Sequence, residues 1–477
     1  MFIDTHFILS ILVNTEVLIS AVICLNPMPM INEKIFQPQN GLPYAQSIDL
    51  ILRSALESVD PYQLTSQHIL LSNGELGNLK LTVGETQRIF LIAMGKASVA
   101  MTRAAVEIIG ERIIRGVCVS KVALEVLPNW PKIDIIYGSH PIPDECSLRA
   151  GMAVRDLLQS LTAEDLVLVL VSGGSSALVV DPCEGISLDD IKATNQALLR
   201  CGATINEMNC VRKHIERLKG GGLARLAQPA RVEALLLSDV IGDDMSVIAS
   251  GPTVADPTTY ADALDIIRQY GLEDQLPRAI LKHLTEGSIG QKPETLKPED
   301  EVTRRVSNTI IGSNRHAIDM AIREAERLGL ATRCVSTHLT GEAGLAAQWF
   351  LNQCLSSQQP LERPSMSVAG GESTVTVKGN GKGGRNLHLA LAAVNRFAGM
   401  ENVALVTLAT DGEDGPTDAA GAIVTGETKA KARVLGLDPD DFLNCNDSYA
   451  FFEKVGGLIK TGSTGTNVND LTFFFQF

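Results

Sequence analysis

Leu166-Val-Leu-Val-Leu-Val-Ser-Gly-Gly-Ser-Ser-Ala177 is an unbroken apolar run stopped by a small polar turn. Six consecutive apolar residues suit a strand buried on both faces, as in a parallel sheet covered by helices. In open α/β sheets, ligands bind beyond the carboxyl ends of such strands. Gly173 and Gly174 let main-chain N–H groups approach an anion, and Ser172 and Ser175 add hydroxyl donors. A tight strand-to-helix turn with no ligand reads the same way on this stretch alone.

Outward from that run, the same grammar recurs. Arg88–Met94 reads as a buried strand that turns through Gly95-Lys96-Ala97-Ser98 into a helix near Val99–Ile109. Gly116–Ser120, Ile133–Tyr137 and Val232–Leu237 are further short strands, and Leu188–Leu199 has helical spacing. Strands alternating with helices predict a doubly wound, Rossmann-like parallel sheet of the α/β class. Gly287–Asp300, with Lys292-Pro293 and Lys297-Pro298, is a polar break, so residues 41–298 form a larger N-terminal α/β domain. Residues 299–477 form a smaller C-terminal α/β domain with strands at Asn308–Ile311, Thr332–Val335, Ser373–Lys378 and Val403–Leu408, and a helix over Leu387–Phe397.

Composition narrows the function. A net charge of −14 and 4% aromatic residues exclude bulk attraction to nucleic acid and stacking platforms for single strands. Nine cysteines without a C-x-x-C pair point to reduced thiols and a cytoplasmic protein. Residues 1–40 are an untypical apolar extension. Glu16 interrupts the apolar run and no Lys or Arg precedes Lys34, so neither a signal peptide, a transit peptide nor a membrane span is expected.

Strand tips after residues 94, 137, 171, 237 and 408 all end in Gly, Ser, Asp or Lys clusters, which converge on a cleft. Lys96 is a mobile point charge suited to phosphate or carboxylate, although Phe90 stands where a Walker loop needs glycine. Lys382-Gly-Gly-Arg385-Asn386 is a second cationic turn, whose Arg385 offers a planar fork. Gly379, Gly381 and Gly384 satisfy a loose G-x-G-x-x-G, but Val403-Ala404 stand where a dinucleotide site needs an acid, which argues against a nicotinamide-dependent hydroxypyruvate reductase. Asp239 and Asp411, on loops after buried strands, could hold Mg²⁺, and turn chemistry is their alternative. Gly173-Gly-Ser175-Ser-Ala177 also approximates a serine-hydrolase elbow, with no His in a matching downstream motif.

Met94-Gly-Lys-Ala-Ser98, Ser172–Ala177, Asn209–Ala224, Ser238–Asp244, Ser250–Pro257, Gly383–Asn386, Asp411–Asp418 and Thr461–Asp470 together resemble the class II glycerate kinase (glycerate 2-kinase) family with its C-terminal MOFRL domain. The match runs from about Ala45 to Leu471 and leaves the first 40 residues outside. The resemblance implies ATP- and Mg²⁺-dependent phosphorylation of D-glycerate at O2, two α/β domains with the active site in the cleft between them, and a homodimer as one compatible assembly. It carries the family's critical Lys and Arg onto Lys96 and Arg385. Ser172, Gly173, Gly174, Ser175 and Asn386 are then substrate or phosphate neighbours, Asp239 and Asp411 metal ligands, and His140 and Asp239 alternative proton acceptors. Ser175 replaces a common third Gly, Leu387-His388 replace the usual Gln-Glu, and Ser463 replaces a Pro.

Overall fold

The computed structural model describes residues 44–71, 81–83, 87–121, 128–355 and 360–477. The expected extension over residues 1–40 therefore lies outside the described residues. After a small parallel pair, β1 (Ile69–Leu71) and β2 (Leu81–Val83), the chain builds two six-stranded sheets. The first holds β3 (Ile89–Met94), β4 (Ile113–Ser120), β5 (Ile133–Tyr137), β6 (Leu166–Val171), β7 (Arg231–Leu237) and β8 (Val306–Gly312). All are parallel, in the order β5-β4-β3-β6-β7-β8. That is the doubly wound order expected, and it reverses direction between β3 and β6.

β6 is buried along its whole length. Its leucines 166, 168 and 170 face one core and its valines 167, 169 and 171 face another. A strand with apolar layers on both sides needs no polar alternation, which is why its sequence runs unbroken. The helices Ala45–Glu57, Ser98–Ile109 and Asn314–Arg327 pack on the leucine side, and Glu145–Leu157 on the valine side.

The second sheet holds β9 (Ala331–Glu342), β10 (Ser365–Thr374), β11 (Val403–Ala409), β12 (Gly421–Thr425), β13 (Leu458–Ile459) and β14 (Asp470–Gln476). Its order is β13-β12-β11-β14-β10-β9; β9 and β10 are parallel, and every other pairing is antiparallel. β14, which sequence reading passed over, sits at its centre: Phe473 and Phe475 point to one face and Phe474 to the other. Each fully buried ring is worth about 2–3 kcal/mol of apolar burial. The expected strand at 373–378 lies mostly in loop, because pairing with β9 and β14 places β10 earlier, over Met366, Val368 and Ala369.

The break at 287–300 is no linker. Leu296 is buried, Asp256 N donates to Leu296 O at 2.7 Å, and Arg225 bonds Glu294 O and Asp300. β8 follows this break yet closes the first sheet beside β7, so that sheet takes residues from both sides of the expected boundary. The two sheets also share one core: Ile48, Ile51 and Leu52, with Ala317, Ile318 and Ala321, lie between the leucine face of β6 and Phe473 and Phe475 of β14.

Candidate active site at the strand tips

The reversal between β3 and β6 opens a crevice at their carboxyl ends, and the two turns there are zipped together. Ser172 N donates to Met94 O (3.0 Å), Lys96 N to Gly173 O (2.9 Å) and Ala97 N to Ser172 Oγ (3.0 Å). Gly95 has φ +115, and a Cβ there would fall 2.4 Å from Ser172 O, so only glycine permits this approach. Ser175 Oγ donates to Ser172 O at 2.6 Å. The hydroxyls of Ser172 and Ser175 thus hold the turn itself. The amides of Gly173, Gly174, Ser175 and Ser176 have no hydrogen-bond acceptor among the described residues. Four adjacent free N–H groups are an anion cradle.

The cradle is set from behind. Lys219 Nζ donates to Ser176 O (2.9 Å) and pairs with buried Glu216, and Ser176 Oγ meets Ser250 Oγ at 2.9 Å. The cation-rich stretch 209–226 is accordingly scaffold: Lys213 pairs with Asp256, Arg217 with Asp181 and Arg225 with Asp300.

Three side chains ring the cradle. A Cβ on Gly173 would collide with Asp239 Oδ2 at 1.9 Å, so the Asp239 carboxylate lies against that peptide. A Cβ on Gly174 would stand 3.2 Å from His140 Cδ2 and 3.6 Å from Lys96 Cγ. Burial pushes Asp239 up to about 6; the charge of Lys96 pulls it back and Glu372 pushes it further. Burial, then Lys96 and Lys121, hold His140 below its usual range, so the imidazole is neutral at pH 7.

Lys96 Nζ reaches out of the first sheet to Asp411 Oδ2, just past β11, at 3.7 Å. Asn469 Nδ2 donates to Asp239 O at 2.8 Å from the other side. Beside Asn469, Asp470 opens β14 opposite Ala409 of β11 and grips Arg385 through Nε (2.5 Å) and Nη2 (3.1 Å). Arg385 Nη1 meets Glu372 Oε1 at 2.8 Å. Burial alone would lower the Arg385 guanidinium, but Asp470 and Glu372 outweigh it, so it stays charged.

Around Arg385 the second turn is partly filled, and the amides of Gly383, Gly384 and Arg385 have no acceptor among the described residues. Asn446 Oδ1 accepts from Lys378 N and Gly379 N, Asp447 Oδ1 accepts from Lys382 N, and Asp414 accepts from Asn386 N (2.9 Å) and Leu387 N (2.8 Å). Asn386 is buried, and its Nδ2 donates to the same Asp414 Oδ1 at 3.4 Å.

The structure therefore brings Lys96, Gly173, Gly174, Asp239, Asp411 and Arg385 to one crevice, with Ser172, Ser175 and Asn386 as its internal braces. Glu372, Asn469 and Asp470 were missed by sequence reading. Glu372 had a signal, since Gly370-Gly371-Glu372 closes the short stretch Met366-Ser-Val-Ala369 as the other tips close their strands. Among the described residues no three His, Cys, Asp or Glu side chains form a metal cage. Mg²⁺ takes one or two protein carboxylates and fills its shell with phosphate and water. Asp239 and Asp411, both acting on Lys96, fit that donor set.

A domain-of-unknown-function family, DUF4147, matches residues 47–285, and the MOFRL family matches residues 365–470. The glycerate 2-kinase of Pyrococcus horikoshii is 39% identical over 425 residues, 88% of this chain and 94% of that protein. The D-glycerate 2-kinase of Thermotoga maritima is 41% identical over 392 residues, 80% of this chain and 89% of that protein. The crystal structure of glycerate kinase from Thermotoga maritima superposes with a TM-score of 0.80 at 37% identity, covering 91% of this chain and 100% of that one. With that identity held along nearly the whole of each relative, this chain belongs to the glycerate kinase family that carries a C-terminal MOFRL domain.

Proposed function

We propose that this chain transfers the γ-phosphoryl group of ATP to the 2-hydroxyl of D-glycerate, giving 2-phospho-D-glycerate and ADP. The observation that carries the reading is an unfilled amide cradle, Gly173–Ser176, with a mobile cation beside it and a clamped one at the neighbouring carboxylates. Phosphoryl transfer has little covalent chemistry for the protein to do; position and charge dominate. Lys96, bound to Asp411 only at 3.7 Å, can follow the transferring group. Arg385 uses three of its five N–H groups on Asp470 and Glu372 and keeps two for the glycerate carboxylate. Asp239 and Asp411 would hold Mg²⁺, which supplies charge neutralisation to the phosphates when bound.

The rival chemistries lack support at the same atoms. Ser175 spends its hydroxyl proton on Ser172 O and is buried, which does not suit a nucleophile. A nicotinamide-dependent reduction finds no dinucleotide fingerprint at the β3 turn. The eight described cysteines are free thiols, which supports a reducing compartment such as the cytoplasm, and no helix among the described residues is long and apolar enough to cross a membrane.

The test is an ADP-release assay with D-glycerate and Mg²⁺-ATP, followed by enolase on the product. ADP formation that depends on D-glycerate, with a product enolase accepts, is expected. No ADP overturns the kinase reading, and a product that enolase rejects overturns the 2-hydroxyl assignment.

A further inference from the structure

Every phosphoryl transfer to an alcohol leaves a proton to be removed, and two side chains at the cradle could take it. Asp239 is the weaker of them. Its carboxylate lies against the Gly173 peptide and is already assigned to Mg²⁺ in the reading above. His140 differs in three ways. Its ring stands over Gly174 facing the stem of Lys96, with Cδ2 at 3.2 Å and Nε2 at 3.5 Å from the Cβ direction of that glycine. Neither ring nitrogen has a hydrogen bond among the described residues, so one lone pair is available. The loop that carries it is rigid: Gly138 N donates to Ser120 O (2.9 Å), Ser139 N to Ser147 Oγ (3.3 Å), and Asp144 caps the helix Glu145–Leu157.

We infer that His140 is the general base of the reaction, accepting the proton of the glycerate 2-hydroxyl as that oxygen attacks the γ-phosphorus. The inference rests on the kinase reading above. The balance is simple. The O2–H bond breaks and its proton goes to a ring nitrogen of His140. The O2–P bond forms, and the bond from phosphorus to the β,γ-bridging oxygen breaks with its electrons on ADP. Nothing is oxidised. The imidazolium then releases its proton to water as products leave.

Charge supports this placement. Lys96 and Lys121 are the charged groups that act on His140, and both disfavour its protonated form. Phosphates seated on the cradle beside Lys96 offset that positive field, so the ring regains basicity when ATP is bound. The base is thus neutral and ready in the free protein, and strengthens when the phosphoryl donor arrives.

The experiment compares the full-length wild type with His140→Ala and His140→Gln, each with matched thermal melts. The expected result is a kcat lowered about 10²–10³-fold with KM for ATP and for glycerate within threefold. Added imidazole should restore His140→Ala at least tenfold in a saturable way. Wild-type kcat in either folded variant overturns the inference, as does a loss carried by KM that imidazole does not restore. If His140→Ala does not fold, the kcat loss in His140→Gln decides. Should the wild type itself form no ADP from glycerate, the kinase reading fails first; an active wild type with an equally active His140→Ala fails the base alone.

Discussion

Two glycine turns, Ser172–Ser176 after β6 and Lys382–Asn386 ahead of the helix Arg385–Phe397, look alike in sequence. Each combines small residues, a nearby cation and a helix start. In the first, four successive amides are free and the cation, Lys96, is held by one long ion pair. In the second, Asp447 takes the Lys382 amide and Asp414 takes the Asn386 amide, which leaves the three amides between them free, and Arg385 is clamped by two carboxylates. A glycine-rich turn binds an anion only where the protein has not supplied its own acceptor. The first turn keeps the longer run of free amides beside a loosely held cation, and the second holds its cation still between two carboxylates.

Lys96→Ala attacks that contrast most directly. kcat/KM for phosphoryl transfer should fall about 10³-fold or more while the thermal midpoint stays at the wild-type value, because Asp411 remains solvated. Arg385→Ala should cost about 10²-fold in activity and, unlike Lys96→Ala, about 2–3 kcal/mol of stability in denaturant titrations, since buried Asp470 loses its partner. If both variants melt alike, the distinction between mobile and clamped cation is wrong.

Asp239→Asn separates stability from function. The folded protein holds this carboxyl above its ordinary 3.8, at about 6, so its contribution to stability is full below pH 4 and is lost as pH rises through 6. At pH 7.5 the Asn variant should be more stable by about 1–2 kcal/mol, allowing for partial exposure, and at pH 4 the gain should vanish. Its requirement for Mg²⁺ should rise several-fold in the coupled assay. Titration with inorganic phosphate should then move the amide resonances of Gly173–Ser176 and leave those of Gly379, Lys382, Asn386 and Leu387, which already have protein acceptors, in place. The smallest effect belongs to Ser175→Ala, which removes one internal hydrogen bond: about 1 kcal/mol of stability and less than tenfold in kcat.

β6 was legible because a strand covered on both faces must be apolar throughout, and its neighbours repeat the signal. β14 was not, since Asp470-Leu-Thr-Phe-Phe-Phe-Gln476 lacks a turn signal after it and its antiparallel partners lie far away in sequence. Lys96, Asp239 and Asp411 could be found from strand tips alone. The distinction between Ser175 as brace and Gly174 as cradle could not, because hydroxyl direction depends on which carbonyl is near. Asp414 read as one acid among several on its loop; only the packing of that loop against Gly384 turns it into the helix cap.

The helices Ala45–Glu57 and Asn314–Arg327, wedged between the leucine face of β6 and the phenylalanines of β14, tie the halves into one cooperative unit. Severing the chain after Asp300 would strip β8 from its sheet and remove Ala317, Ile318, Phe473 and Phe475 from the core they share with Ile48, Ile51 and Leu52. Neither half is a folding module. The protein should melt in a single calorimetric transition, and motion that admits substrates is expected at the rim, where the 3.7 Å Lys96–Asp411 ion pair and the Asn469–Asp239 hydrogen bond join the strand tips of the two sheets, ahead of the shared core.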